Sequence, residues 1–292
     1  MPSTFHLLKP EDLKERLSQG KVQLVLDTRP VEIFAKGSLP GSLNLLWEDT
    51  CCKPQIKVAP VLHTPGYWGN LDEPALEKLA QTIGAFAGNE DEIVVVGSGH
   101  RDKGREGRIA WTLAYMGAKK VSLLDGAVEP LLDIAHGKHP GKQESKEAPS
   151  SHHGKFKLAL DEKRRIKMPE LKNLLQTQAQ AINLVDTRSL PEFNGDSYDY
   201  QPRKGHIPGA ILFPYDDMFS GKEKLSYIEK DQFLSKIAAV ADKPTISYCE
   251  VGVRAALYAV LHEIYQGQVV RVYDGSIMEW GAHSELAMSG AQ

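Results

Sequence analysis

Four landmarks recur in the same order in the two halves of this 292-residue chain, and that duplication limits its fold more than any other feature. Residues 24–29, LVLDTR, answer residues 183–188, NLVDTR; in each, an apolar run ends in Asp-Thr-Arg and an aromatic follows at the same distance, Phe34 and Phe193. GSLPGS (37–42) pairs with GHIPGA (205–210), IVVVG (93–97) with TISYC (245–249), and VSLLDG (121–126) with VRVYDG (270–275). The Asp27-to-Asp186 offset is 159 and the Gly37-to-Gly205 offset is 168, so the second copy carries nine more residues, placed within GDSYDYQPRK (195–204).

Short apolar runs ending in Asp or Gly predict buried strands at 22–26, 93–97, 121–124, 182–185, 245–248 and 269–273. Helical periodicity lies between them, as in PALEKLAQTIGAFA (74–87) and RAALYAVLHEIY (254–265). Strand alternating with helix predicts an α/β fold: two domains, each a mainly parallel sheet with helices on both faces. The stretch HGKHPGKQESKEAPSSHHGK (136–155) lacks apolar periodicity and reads as a surface linker. The expected division is 1–135, a linker at 136–157, and 158–292. The linker histidines His136, His139, His152 and His153 match no metal-ligand spacing, so no metal is expected there.

Lys plus Arg number 35 and Asp plus Glu 38, a net charge of −3, which argues against a dedicated nucleic-acid binder. No apolar run approaches the ~20 residues of a membrane span, and MPSTFHLLKP lacks the pattern of a signal peptide. Three cysteines cannot build a disulfide framework, so a reduced compartment, the cytoplasm, is the expectation.

The cysteines are not equivalent. Cys51 and Cys52 are adjacent in a polar stretch after Trp47, with nothing nearby to activate them. Cys249 ends a predicted strand, is followed by Glu250, Val251, Gly252 and Val253, and precedes a helix beginning near Arg254. A strand–loop–helix turn around a glycine can point backbone N–H groups inward, and the positive end of the helix dipole adds to them. Both favour a thiolate, the nucleophilic form, and Arg254 adds a permanent cation. At the matching position the first copy has Gly97, then the longer loop SGHRDKG before Arg105, so it cannot use a thiol there. It is expected to shape an interdomain cleft.

The Asp-x-Arg strand end, the Gly-His-Ile-Pro-Gly-Ala turn, the Cys-x-x-Gly-x-Arg loop and the closing YDGSIMEWG (273–281) together resemble the rhodanese superfamily, in the tandem layout of the thiosulfate and mercaptopyruvate sulfurtransferases. The resemblance implies two rhodanese-like domains, the first degenerate and the second catalytic. Cys249 would accept a sulfane sulfur as a persulfide and pass it to cyanide, a thiol or a thioredoxin-like protein, with no cofactor. The loop residues Glu250, Val251, Gly252, Val253 and Arg254 would cradle the sulfur, and the amides would stabilise its anion. Cys249 to Arg254 spans six residues, one fewer than in the related phosphatases, which makes phosphoryl chemistry a distant alternative.

The departures concern the donor. Glu250 and Val251 match neither the cationic residues that follow the cysteine in thiosulfate-specific members nor the small pair of mercaptopyruvate-specific ones. Glu192 stands where both types carry an arginine. Each carboxylate either faces the pocket and opposes a dianion, or points to solvent. Gln-Pro-Arg203 resembles a carboxylate-binding Glu-Pro-Arg, which makes Arg203 an expected anion contact. His63 loosely resembles a cleft histidine, and His206 is expected to be structural. Thiosulfate is the default donor and 3-mercaptopyruvate the alternative; a non-catalytic binding module is the reading from another class.

Overall fold

The computed structural model describes residues 3–52, 68–132, 156–197, 201–221, 223, 226–238 and 243–290; His63 and the four linker histidines lie outside them. The first copy runs β1 (Phe5–Leu8), α1 (Pro10–Ser18), β2 (Leu24–Asp27), α2 (Val31–Phe34), β3 (Leu43–Asn44), α3 (Glu73–Gly84), β4 (Glu92–Val96), α4 (Arg105–Tyr115) and β5 (Lys120–Leu124). The second runs β6 (Arg165–Ile166), α5 (Met168–Thr177), β7 (Asn183–Asp186), α6 (Leu190–Asn194), β8 (Ile211–Leu212), β9 (Phe219–Ser220), β10 (Ser226–Tyr227), α7 (Lys230–Ile237), β11 (Thr245–Tyr248), α8 (Val253–Gln266), β12 (Arg271–Tyr273) and α9 (Ser276–Ala282).

Each copy forms a five-stranded sheet flanked by helices, in the orders β1-β5-β4-β2-β3 and β6-β12-β11-β7-β8. These are the same permutation, and every pairing in both sheets is parallel. The small antiparallel pair of β9 and β10 is an addition to the second copy. The central strands β4 and β11 are the duplicated apolar runs, buried on both faces as a covered parallel sheet requires. α3 shows how sequence sets a helix: Asp72 accepts the Ala75 N–H, Pro74 fits the first turn, and Leu76, Leu79, Ala80 and Ile83 make one buried stripe.

Two of the repeated landmarks co-occur because they bind each other. Arg29 pairs with Asp27 at 2.6 Å and donates to the carbonyl of Gly37 at 2.8 Å. Arg188 likewise pairs with Asp186 at 2.6 Å and donates to Gly205 at 2.9 Å. In both copies a buried guanidinium ties the strand end to the Gly-x-x-Pro-Gly turn. His206 is fixed by the same turn, stacked on Phe193 at 3.6 Å between centroids.

The two copies meet through the matching helices α4 and α8. Gly107 permits this approach, because a Cβ there would lie 2.5 Å from both Cα and Cβ of Leu257. Ile109 and Leu113 of α4 share one buried cluster with Leu257, Tyr258 and Leu261 of α8. Polar links cross the boundary too: Tyr227 Oη donates to Glu106 Oε1 at 3.0 Å, and the Leu71 N–H donates to Asp274 at 2.9 Å. No helix among the described residues is long and apolar enough to cross a membrane.

Candidate active site

Cys249 follows β11 directly and is 1% exposed. Two elements fix its loop. Gly252 adopts φ +78°, a left-handed turn that admits the chain into α8, and a Cβ there would come within 2.7 Å of the Asp274 backbone. On the other side, the first turn of α9 takes the loop's carbonyls: Ile277 N–H donates to Cys249 O at 3.1 Å and Met278 N–H to Glu250 O at 3.2 Å. Ser276 completes the anchor, its Oγ accepting the Cys249 N–H at 3.1 Å and donating to Tyr273 O at 2.7 Å. Ser276 does so at φ +54°, a strained backbone for a residue with a side chain. The closing YDGSIMEWG motif is therefore the support of the cysteine loop.

Cys249, Glu250, Val251, Val253 and Arg254 line a cavity of about 470 Å³ between the two domains. Ser189, Glu192, Ser197, Pro214, Tyr215 and Asp216 of the second domain complete that wall. Opposite them stand Trp47 and the loop residues His100, Arg101, Asp102, Lys103 and Arg105 of the first domain. Gly252 forms the turn beneath the cavity and is not among its lining residues.

Arg254 is not free to meet an anion alone. Its two terminal nitrogens each lie 2.9 Å from a Glu192 oxygen, and Glu250 Oε2 is 3.6 Å away. Burial opposes the charge on both Arg254 and Glu192, but their hydrogen bonds prevail. The Glu192 carboxyl is held down at about 2 and Arg254 is held firmly charged. Glu192 also closes a capping box with Ser189 at the start of α6. Neither carboxylate therefore turns to solvent; both face the cavity.

Arg203 corrects an expectation. Its guanidinium donates to the carbonyls of Trp280, Gly281, His283 and Leu286, clamping the C-terminal segment, and it is not part of the cavity wall. Those four acceptors leave its donors engaged away from Cys249. Of the other thiols, Cys51 is buried and donates to Gly69 O at 3.2 Å, and Cys52 is exposed. No cluster of metal-ligating side chains occurs among the described residues.

In the first domain, Gly97 takes the position of Cys249 and has no room for a side chain. A Cβ there would lie 2.7 Å from Asp102 Oδ2 and 3.0 Å from Thr28 Oγ1. Asp102 itself accepts the Ser98 N–H at 2.5 Å, so a carboxylate of the chain fills this loop.

The sequence profile of the rhodanese-like domain matches residues 9–132 and again residues 167–283. The chain belongs to the rhodanese family. Among its rhodanese relatives, the 3-mercaptopyruvate sulfurtransferase of Escherichia coli K12 is 27% identical over 218 residues, 73% of each chain. A putative thiosulfate sulfurtransferase of Synechococcus elongatus is 27% identical over 293 residues, covering 96% of this chain and 84% of that one. Solved structures share the fold as well, among them the following two. The Tum1 protein of Saccharomyces cerevisiae superposes with a TM-score of 0.74 at 22% identity over the whole of both chains. SseA of Escherichia coli, described as a 3-mercaptopyruvate sulfotransferase, gives 0.69 at 19% identity, covering 94% of this rhodanese and 99% of that chain.

Sequence reasoning missed Ser276 as an anchor and the cationic wall of the first domain. The charges of SGHRDKGR are legible, but only the docking of α4 on α8 brings them to Cys249. For Glu192 the available signal is the capping-box spacing Ser189-x-x-Glu192, which places the carboxylate at the start of α6 but does not reveal its pairing with Arg254.

Proposed function

We propose that this rhodanese is a sulfurtransferase that carries a sulfane sulfur on Cys249. The observation that supports it is a buried cysteine at the N-terminus of α8, on a six-residue loop braced by α9, opening into an interdomain cavity. The Sγ thiolate attacks the outer sulfur of the donor. With thiosulfate the S–S bond breaks and sulfite leaves with the electron pair. With 3-mercaptopyruvate the C–S bond breaks, and the resulting enolate takes up the thiol proton to give pyruvate. The first-turn N–H groups of α8 have no intrahelical acceptor and stabilise the persulfide anion. An acceptor thiolate or cyanide then attacks the outer sulfur, the S–S bond to Sγ breaks, and the Cys249 thiolate returns.

Incubating the protein with either donor is expected to add about 32 Da, one sulfur atom, to the peptide carrying Cys249, and cyanide is expected to remove it as thiocyanate. No mass gain with any sulfane donor would favour a non-catalytic binding module.

One observation favours 3-mercaptopyruvate over thiosulfate: the cation beside Cys249 is already neutralised by Glu192 and Glu250, which disfavours a compact dianion there. Glu192→Gln keeps the cap and removes one charge. At an effective dielectric near 20, a charge ~6 Å from the dianion is worth a few kcal/mol before screening. We expect kcat/KM for thiosulfate to rise about tenfold. Arg254 keeps Glu250 at 3.6 Å, and losing the Glu192 charge is expected to lower unfolding stability by roughly 3 kcal/mol. Steady-state kinetics and urea unfolding check the two effects; an unchanged kcat/KM discounts the electrostatic argument.

A further inference from the structure

We propose that the anion subsite of this cavity lies on the first domain, at Arg101 and Lys103, and that it recognises a carboxylate-bearing thiol as the sulfur acceptor. The inference rests on the sulfur-transfer reading and deepens it. Charge around the cavity is divided between the domains. On the wall that carries Cys249, three carboxylates (Glu192, Asp216, Glu250) stand against one guanidinium, Arg254. On the facing wall, three cations (Arg101, Lys103, Arg105) stand against one carboxylate, Asp102. A negatively charged ligand group is repelled beside the sulfur and attracted across the cavity.

Two of those three cations are available. Arg105 lies 3.8 Å from Asp102, whereas the exposed side chains of Arg101 and Lys103 form no hydrogen bond or ion pair among the described residues. Their loop is nevertheless fixed. His100 stacks on Tyr215 at 5.3 Å, meets Phe219 edge-on at 5.2 Å, and its Nε2 lies 2.5 Å from Asp216 Oδ1. Tyr215 Oη donates to the His100 carbonyl at 2.9 Å. Lys103 closes the turn at φ +54°, where a glycine would be unstrained, so a charged side chain is presented at a position that costs backbone strain. The second domain thus grips the loop by His100 and leaves the flanking cations facing the cavity.

Size points the same way. A cavity of about 470 Å³ falls in the ~300–1,000 Å³ range that encloses drug-sized ligands and far exceeds a five-atom oxyanion. A ligand that places its thiol at Cys249 and a carboxylate on the opposite wall uses both sides. In the transfer step its thiolate attacks the outer sulfur of the Cys249 persulfide, the S–S bond to Sγ breaks, and the ligand leaves as a hydropersulfide anion.

The test separates acceptor binding from donor binding. Cys249 is charged with excess donor, freed of it by gel filtration, and discharged with glutathione or with its diethyl ester, which lacks both carboxylates. The wild-type protein is expected to react faster with glutathione, and salt is expected to erode that preference. In R101E/K103E the ratio of the two second-order rate constants is expected to fall about tenfold or more, while R101K/K103R keeps it. An unchanged ratio in R101E/K103E, or a salt-independent ratio in the wild type, overturns the subsite. Failure of the wild type to form the persulfide overturns the sulfur-transfer reading itself.

Discussion

Cys249→Ser is expected to lower sulfur transfer from thiosulfate to cyanide by on the order of 10⁴-fold or more, because removing a covalent nucleophile removes the reaction path rather than weakening it. The side chain is 1% exposed and serine is its nearest isostere, so the loop contacts to Ser276, Ile277 and Met278 are expected to persist. The melting temperature should therefore stay near that of the wild type. Cys52→Ser, at an exposed site, is expected to retain full activity. Thiocyanate formation measured colorimetrically decides the matter, and Cys249→Ser with substantial residual turnover would place the chemistry elsewhere.

A second large effect comes from Glu106, on α4 at the domain boundary. Burial, reinforced by the nearby Asp102 carboxylate, pushes its carboxyl up to about 8. Tyr227 Oη reaches Oε1 at 3.0 Å, and Oε2 is buried with no partner among the described residues. The sign follows from linkage: between the ordinary value of 4.5 and about 8, the folded protein keeps this proton and the unfolded chain has lost it. Stability is therefore present below 4.5 and is lost as pH rises to about 8, above which the slope from this group vanishes. The total is on the order of 5 kcal/mol. In Glu106→Gln that loss is absent, so the variant is expected to gain on the wild type progressively between pH 4.5 and about 8 and to keep a constant advantage above it. Urea unfolding across the window measures it, and parallel pH profiles for the two proteins would dismiss it.

Much of the fold was legible because each landmark has a local cause. Apolar runs buried on both faces give the central strands, and the Asp-x-Arg and Gly-x-x-Pro-Gly pairs recur together because Arg29 and Arg188 join them. The edge strands β3 and β8 were not legible, because two residues make no periodic signal. At the site, Cys249 and its loop were readable from order along the chain. What surrounds them was not. Arg203 has the right neighbours in sequence, yet four carbonyls of the C-terminal segment claim its guanidinium. Glu192 reads as a misplaced charge until Arg254 is seen against it. The cationic wall belongs to the other half of the chain, and only the packing of α4 on α8 brings it into play.

The loop of the first domain is closed twice over, by the Asp102 side chain and by the tight packing around Gly97. A cysteine placed at position 97 would drive its Cβ against Asp102, while removing Asp102 alone would strip the Ser98 amide of its acceptor and Arg105 of its partner. Neither change alone therefore opens a thiol-sized space in this loop without losing a contact or making a clash. The same loop that closes over Asp102 also supplies His100, Arg101, Lys103 and Arg105 to the cavity, so its packing and its place in the wall are fixed by one set of contacts.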